Sequence, residues 1–207
     1  LSQLPHGIKA WIFDTEDDPV YKNLACQFPA DSFEVLDLSH FKRNILEPPP
    51  GVAPEVWFNH VKRNVRESWF VRDGGTAMLG TVLDHVRRER PGPIALRHLY
   101  EKLIDLRFRL IAQSREYGYF EGLKNRMENA LVNPMFDCAR GFDLSSLASK
   151  NVLFLCSALS SEEFPFFIND ILSWLSCYFQ PRLNPVPRLL VVVEEVHRLT
   201  NPQRLRR

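Results

Sequence analysis

Two adjacent carboxylates, Glu194 and Glu195, stand directly after the run Leu189-Leu-Val-Val-Val193. Paired acids at a strand terminus serve Mg²⁺-dependent phosphate chemistry, which relies on positioning and charge neutralisation rather than covalent steps. The continuous β-branched run predicts a strand buried on both faces of a parallel sheet. Acids at its carboxyl end then lie at the rim where open α/β folds bind ligands. The competing reading is that the acids cap the next helix or stay solvated. Asp14 follows the same logic at the end of Ile8-Lys-Ala-Trp-Ile-Phe13. For Asp14 the competing reading is an Asx turn formed with Thr15 and Glu16. The 207 residues contain no GxxxxGK[ST] segment to cradle phosphates.

The elements that must carry these acids are legible from period and punctuation. Ile8–Phe13 predicts a short strand running into Asp14-Thr-Glu-Asp-Asp18, and Phe33-Glu-Val-Leu-Asp-Leu38 alternates like a strand nearer a sheet edge. Glu47-Pro-Pro-Pro50 follows, which suits neither helix nor central strand. Then the period lengthens. Trp57, Val61, Val65 and Trp69 mark one face of a helix starting near Pro54, which Gly74-Gly75 is expected to break. Met78, Leu79, Val82, Leu83 and Val86 mark a second helix, ending before Pro91. Leu96, Leu99, Leu103, Leu106 and Leu110 mark a third, and Phe120, Leu123, Met127 and Leu131 a fourth. Such regular stripes are core packing and are assigned no chemistry. The strand signal returns at Asn151-Val-Leu-Phe-Leu-Cys-Ser157. An aromatic-rich helix from about Glu162 to Phe179 follows, and the loop Pro181 to Pro187 leads into the acid-tipped strand. The order β, β, helical block, β, α, β predicts a three-layer α/β fold with a mostly parallel sheet and a helical insertion.

Composition sets the outer bounds. The chain is 45% hydrophobic and 25% charged with a net charge of +1, so no global attraction to nucleic acid or membrane is expected. Cys26, Cys138, Cys156 and Cys177 show no CxxC or Cys/His ligand spacing and read as buried thiols of a reducing, cytoplasmic compartment. No stretch approaches the roughly 18 apolar residues that would span a bilayer, and no secretory signal is present.

The ordered company of the acidic strand carries a family resemblance. Glu194, Glu195 and His197 form a Glu-Glu-x-His pattern that resembles the Walker B segment of the HerA branch of the FtsK–HerA ATPases. Trp11-Ile-Phe-Asp14 looks like that family's strand after the phosphate-loop helix, and Leu1-Ser-Gln-Leu4 like the tail of that helix. Asn44-Ile-Leu-Glu-Pro-Pro49 is similar to the Asn-Pro-Leu-like link of HerA and type IV secretion ATPases, which likewise precedes an all-helical insertion. Isoleucine stands where that link has proline. Each motif is short, and order and spacing carry the resemblance over nearly the whole chain.

The resemblance implies a RecA-like P-loop NTPase core with an all-helical insertion, with 1–207 as a partial ATPase domain. Residues 1–46 would hold core strands after the phosphate loop, 52–135 the insertion, and 150–207 core strands including Walker B. Both ends read as cut: a phosphate loop is expected before Leu1 and a sensor-bearing strand after Arg207. The chain by itself is therefore expected not to hydrolyse ATP. In the complete site Glu194 would hold Mg²⁺ through a water, Glu195 would orient the attacking water, and Asp14 would face the nucleotide. His197 would relay the γ-phosphate state or, on the other reading, serve as a hydrogen-bonded helix-start histidine. An arginine from the next subunit would complete the site; Arg126 and Arg140 are the candidates, Arg126 preferred, against the ordinary role of a solvated helix arginine.

These features imply a HerA-like ring ATPase, a homo-oligomer expected to be hexameric, that uses ATP and Mg²⁺ to translocate double-stranded DNA in repair or anti-phage defence. A nuclease or effector subunit is a further implied partner. The alternatives are a type IV secretion or conjugation ATPase, and a non-catalytic assembly module. Basic clusters at Lys62-Arg63 with Arg66, Arg87-Arg88 with Arg90, Arg107 with Arg109, and Arg204 with Arg206-Arg207 offer DNA contacts. Flanking acids argue against a strong single-chain site.

Overall fold

A computed structural model of the chain describes residues 7–16, 21, 23, 26, 33–107, 110–112, 114–180 and 189–194. Four strands, β1 (Lys9–Asp14), β2 (Phe33–Asp37), β3 (Asn151–Leu155) and β4 (Leu189–Val193), form one parallel sheet in the order β2-β3-β1-β4. Five helices are described: α1 (Pro54–Ser68), α2 (Asp73–Glu89), α3 (Leu96–Leu106), α4 (Arg115–Val132) and α5 (Glu163–Phe179). The chain divides into two compact units, one of Leu1–Phe41, Asp143–Pro165 and Pro181–Arg207, the other of Lys42–Phe142 and Phe166–Gln180. The predicted α/β class with a parallel sheet is the observed one.

In the first unit β1 is central and almost wholly buried because every position from Ala10 to Phe13 is apolar. Ile12, Leu153, Leu155 and Phe33 cluster on one face, with Tyr21 and Val192 packed against them. Elsewhere in this unit Phe13 stacks on Phe154 at 4.5 Å between centroids, and Trp11 tilts against the same ring. β2 shows the alternating burial and edge position that its sequence predicts. β4 departs from expectation. It pairs with β1 alone among the described strands, its residues are half-buried, and Leu190 is exposed rather than covered on both faces. A β-branched run records a capacity for burial, which only neighbouring strands convert into burial.

The second unit begins with a pinned link. Asn44 is buried; its Nδ2 donates to the carbonyls of Ile94 and Ala139 at 3.0 and 2.7 Å, and its Oδ1 accepts from the Leu46 amide. Arg43 beside it is 1% exposed and donates through Nε to Asp170 on α5 at 2.6 Å. The link and the returning chain lie side by side: the Arg43 amide donates to Met135 O and the Phe142 amide to Lys42 O. A Cβ on Gly141 would stand 2.6 Å from the Asn44 nitrogen, so only glycine allows this approach.

The expected stripe of α1 is buried throughout, at Trp57, Val61, Val65 and Trp69, with the Trp57 indole donating to Ile45 O at 2.9 Å. Trp57→Ala should therefore cost about 3–5 kcal/mol in a urea unfolding titration. A loss under about 1 kcal/mol would mean that the ring fills no essential space. The break after α1 falls at Trp69–Arg72, before the glycine pair that was expected to make it. Gly74 and Gly75 belong to the first turn of α2, where a Cβ on Gly74 would lie 2.1 Å from the Tyr119 ring. The glycines are there for close packing. Phe70, in the break, is an exposed aromatic at φ +54°, a left-handed conformation costly for a bulky side chain.

Candidate functional site

Register decides which side chains meet at the carboxyl rim of the sheet. Phe13 is level with Val193, and Asp14 with Leu155. One step beyond Val193, Glu194 donates its amide to Phe13 O at 3.2 Å, while Cys156 donates its amide to Asp14 O at 2.7 Å. Asp14 and Glu194 therefore stand abreast on neighbouring parallel strands, and level residues project to the same face. That face carries the Ile12, Leu153 and Val192 cluster, and Tyr21 packs on it.

The two acids have different surroundings. Asp14 is fully buried; its Oδ1 accepts the Glu16 amide at 3.0 Å, which is the Asx turn. Its Oδ2 is buried with no hydrogen-bond partner among the described residues, and the Thr15 hydroxyl beside it is likewise unpartnered. A buried carboxylate oxygen without a donor is costly, so an orphan here marks a place where a cation or a donor belongs. Glu194 is half-buried and accepts a short hydrogen bond from the Tyr21 hydroxyl.

Hard carboxylate oxygens at this rim suit Mg²⁺, which is commonly held by one or two carboxylates with waters and substrate phosphates filling its remaining positions. Among the described residues no cluster of three or more His, Cys, Asp or Glu forms.

Of the other expected site residues, Glu195 and His197 lie outside the described residues. Arg126 is half-buried on α4 in the helical unit, and Arg140 is exposed after that helix. Within the basic clusters of the helices, Arg87 pairs with Glu55 at 2.6 Å and Arg66 with Asp73 at 3.3 Å, while Arg63 meets the His60 ring. Arg109 and Arg204–Arg207 lie outside the described residues. No helix of the described residues is long and apolar enough to cross a membrane.

Sequence reasoning missed Tyr21, which is 173 residues from the glutamate it touches and belongs to no periodic stripe. It also passed over the Arg43–Asp170 pair. A charged residue flanking the asparagine of the link was the available hint, but nothing local joins it to a carboxylate on α5.

The described residues form a mixed α/β fold with a four-stranded parallel sheet and five helices. Among solved structures the chain is similar to VirB4 of Thermoanaerobacter pseudethanolicus, with a TM-score of 0.65 and 16% sequence identity, over 94% of this chain and 77% of the VirB4 chain. No protein-family model matches the chain, and no curated protein matches it.

Proposed function

We propose that this chain is part of a ring ATPase of the FtsK–HerA type, using ATP and Mg²⁺ at the carboxyl rim of its sheet. The observation that carries the reading is the pairing of buried, half-orphaned Asp14 with Glu194 on adjacent strand ends. Glu194, held by Tyr21, would hold Mg²⁺ through a water, and Asp14 Oδ2 would face the same centre. Glu195, next in sequence, would orient and polarise the attacking water, and His197 would pass on the state of the γ-phosphate. Bound Mg²⁺ supplies charge neutralisation for the transferred phosphoryl group. Arg126 from a neighbouring subunit would add to that neutralisation as charge spreads in the transition state.

Within this type, the likeness to VirB4 favours a secretion or conjugation ATPase. The Glu194-Glu195-x-His197 pattern supports the second reading, a HerA-like translocase of double-stranded DNA with a nuclease or effector partner. On this reading core strands lie within 1–46 and 150–207, around an insertion at 52–135.

A mixing experiment tests the shared site. In the protein that carries this chain, Arg126→Ala and Glu195→Gln subunits should each form rings nearly inactive in ATP hydrolysis. Rings assembled from both should regain part of the activity, because some interfaces then hold both intact groups. No recovery in demonstrably mixed rings, or full activity from a monomer, would return Arg126 to the role of a surface residue.

A further inference from the structure

Among the described residues, two buried side-chain polar atoms lack a hydrogen-bond partner, Asp14 Oδ2 and Thr15 Oγ1. They belong to consecutive residues of the Asx turn at the sheet rim. The other buried polar side chains are answered inside the fold. Arg43 and Asp170 hold each other, Asn44 is engaged at both ends of its amide, and Asn64 donates to Phe166 O and accepts from the Ser68 hydroxyl. Thr15 is 6% exposed, so bulk water does little to offset the cost of an unanswered hydroxyl. The turn itself does not explain that hydroxyl. It engages Asp14 Oδ1 and the Glu16 amide, and makes no use of Thr15 Oγ1. The neighbouring acid does not use it either: Glu194 takes its hydroxyl partner from Tyr21.

We propose that Thr15 is a substrate-recognition residue, its hydroxyl donating to the terminal phosphate of a nucleoside triphosphate and so setting triphosphate apart from diphosphate. This rests on the reading of the rim as a Mg²⁺-nucleotide site. The pairing of the two orphans decides the ligand. As a carboxylate, Asp14 can only accept, and its Oδ2 calls for a cation or for a water in a cation's shell. The Thr15 hydroxyl can donate, and its strongest acceptor is an anionic oxygen. A metal ion alone leaves that proton unanswered, and an anion alone is repelled by the carboxylate. A phosphate carrying Mg²⁺ brings both, with waters completing the ion's shell. On the same reading the terminal phosphate is the one at this rim, because Glu195 orients the water that attacks it. A single bridging water would also join the two orphans, but it would make Thr15 a structural residue indifferent to the nucleotide.

The test compares adenylyl imidodiphosphate, a non-hydrolysable triphosphate, with ADP, each with Mg²⁺, by equilibrium binding to the protein that carries this chain. Thr15→Val keeps the branched shape and removes the hydroxyl. Its affinity for the triphosphate should fall about tenfold or more, the loss of a hydrogen bond to a charged acceptor, while ADP affinity stays within about twofold of the parent. Thr15→Ala should lose the triphosphate preference equally, and Thr15→Ser, which keeps the hydroxyl, should retain most of it. Without nucleotide, the melting temperature of Thr15→Val should hold or rise, because a methyl group replaces a buried, unanswered hydroxyl. A structural hydrogen bond or a bridging water would instead lower the melting temperature and change both nucleotide affinities alike or not at all, and that result overturns the proposal. If the parent binds the triphosphate and Glu195→Gln slows its turnover, but Thr15→Val discriminates as the parent does, the ATPase reading stands and this inference alone falls. If the parent binds neither nucleotide, both fall.

Discussion

Glu195→Gln should leave ATP binding intact and slow turnover by about 10²–10⁴-fold, the range for loss of a general base. Glutamine keeps the shape and hydrogen-bonding reach of glutamate but removes the charge that polarises a water. The defect therefore belongs to kcat rather than to nucleotide affinity. Glu194→Gln should instead raise the Mg²⁺ concentration needed for half-maximal rate, since that residue, held by Tyr21, is assigned to the ion's hydration shell. Titrating nucleotide binding and single-turnover hydrolysis on the same preparations separates the two. Unchanged turnover in Glu195→Gln would remove that residue from the mechanism.

A stability effect as large as that of Trp57→Ala is expected at Asp170. Arg43 and Asp170 are 1% and 2% exposed and meet through Nε and Oδ2 at 2.6 Å, with a second approach from Nη2 to Oδ1 at 3.4 Å. Burial pushes the Asp170 carboxyl above the ordinary carboxylate range, while the Arg43 charge and its hydrogen bond pull it back. The desolvation cost is large on both sides of the pair. Removing one partner leaves the other charged, buried and unanswered, so Asp170→Ala should lose about 3–5 kcal/mol in equilibrium urea unfolding. The double variant Arg43→Met/Asp170→Leu should recover most of that loss, because apolar groups of similar size carry no desolvation cost. If the single variant loses under about 1 kcal/mol, the guanidinium has found another partner or reached water.

Much of this architecture was legible because apolar period is a local signal. The Trp57 to Trp69 stripe, the helices that follow it and the alternation of β2 were read from nearest neighbours and are present. The edge of the described sheet at β4 was not legible, since Leu189–Val193 would read identically with one neighbouring strand or two. The same limit applied to the Gly74-Gly75 pair. Its punctuation was evident, but its reason is the ring of Tyr119, which arrives from a different helix. At the site, acids after apolar strands could be found one by one. Their alignment depends on the register of β1 with β4, and the Tyr21 contact on a segment far away in sequence. Charge pairing such as Arg43–Asp170 has no period at all and becomes visible only in three dimensions.

The stapled link has a consequence for how this protein can vary. Where the chain leaves Phe41 and where it returns at Phe142, the strands of backbone are tied by the Arg43–Met135 and Lys42–Phe142 hydrogen bonds and by the close approach of Gly141 to Asn44. The helices in between hang from a neck that is already closed. Loop-closure entropy is then nearly indifferent to what lies beyond the neck, because its cost grows only with the logarithm of length. Helices α2 to α4 can be lengthened or refaced there while the two ends stay at a fixed separation, whereas α1 is tied to α5 through Asn64 and Trp69 at Phe166. Selection acting on a surface of those helices would be felt locally, and the spacing of the neck would pass through unaltered.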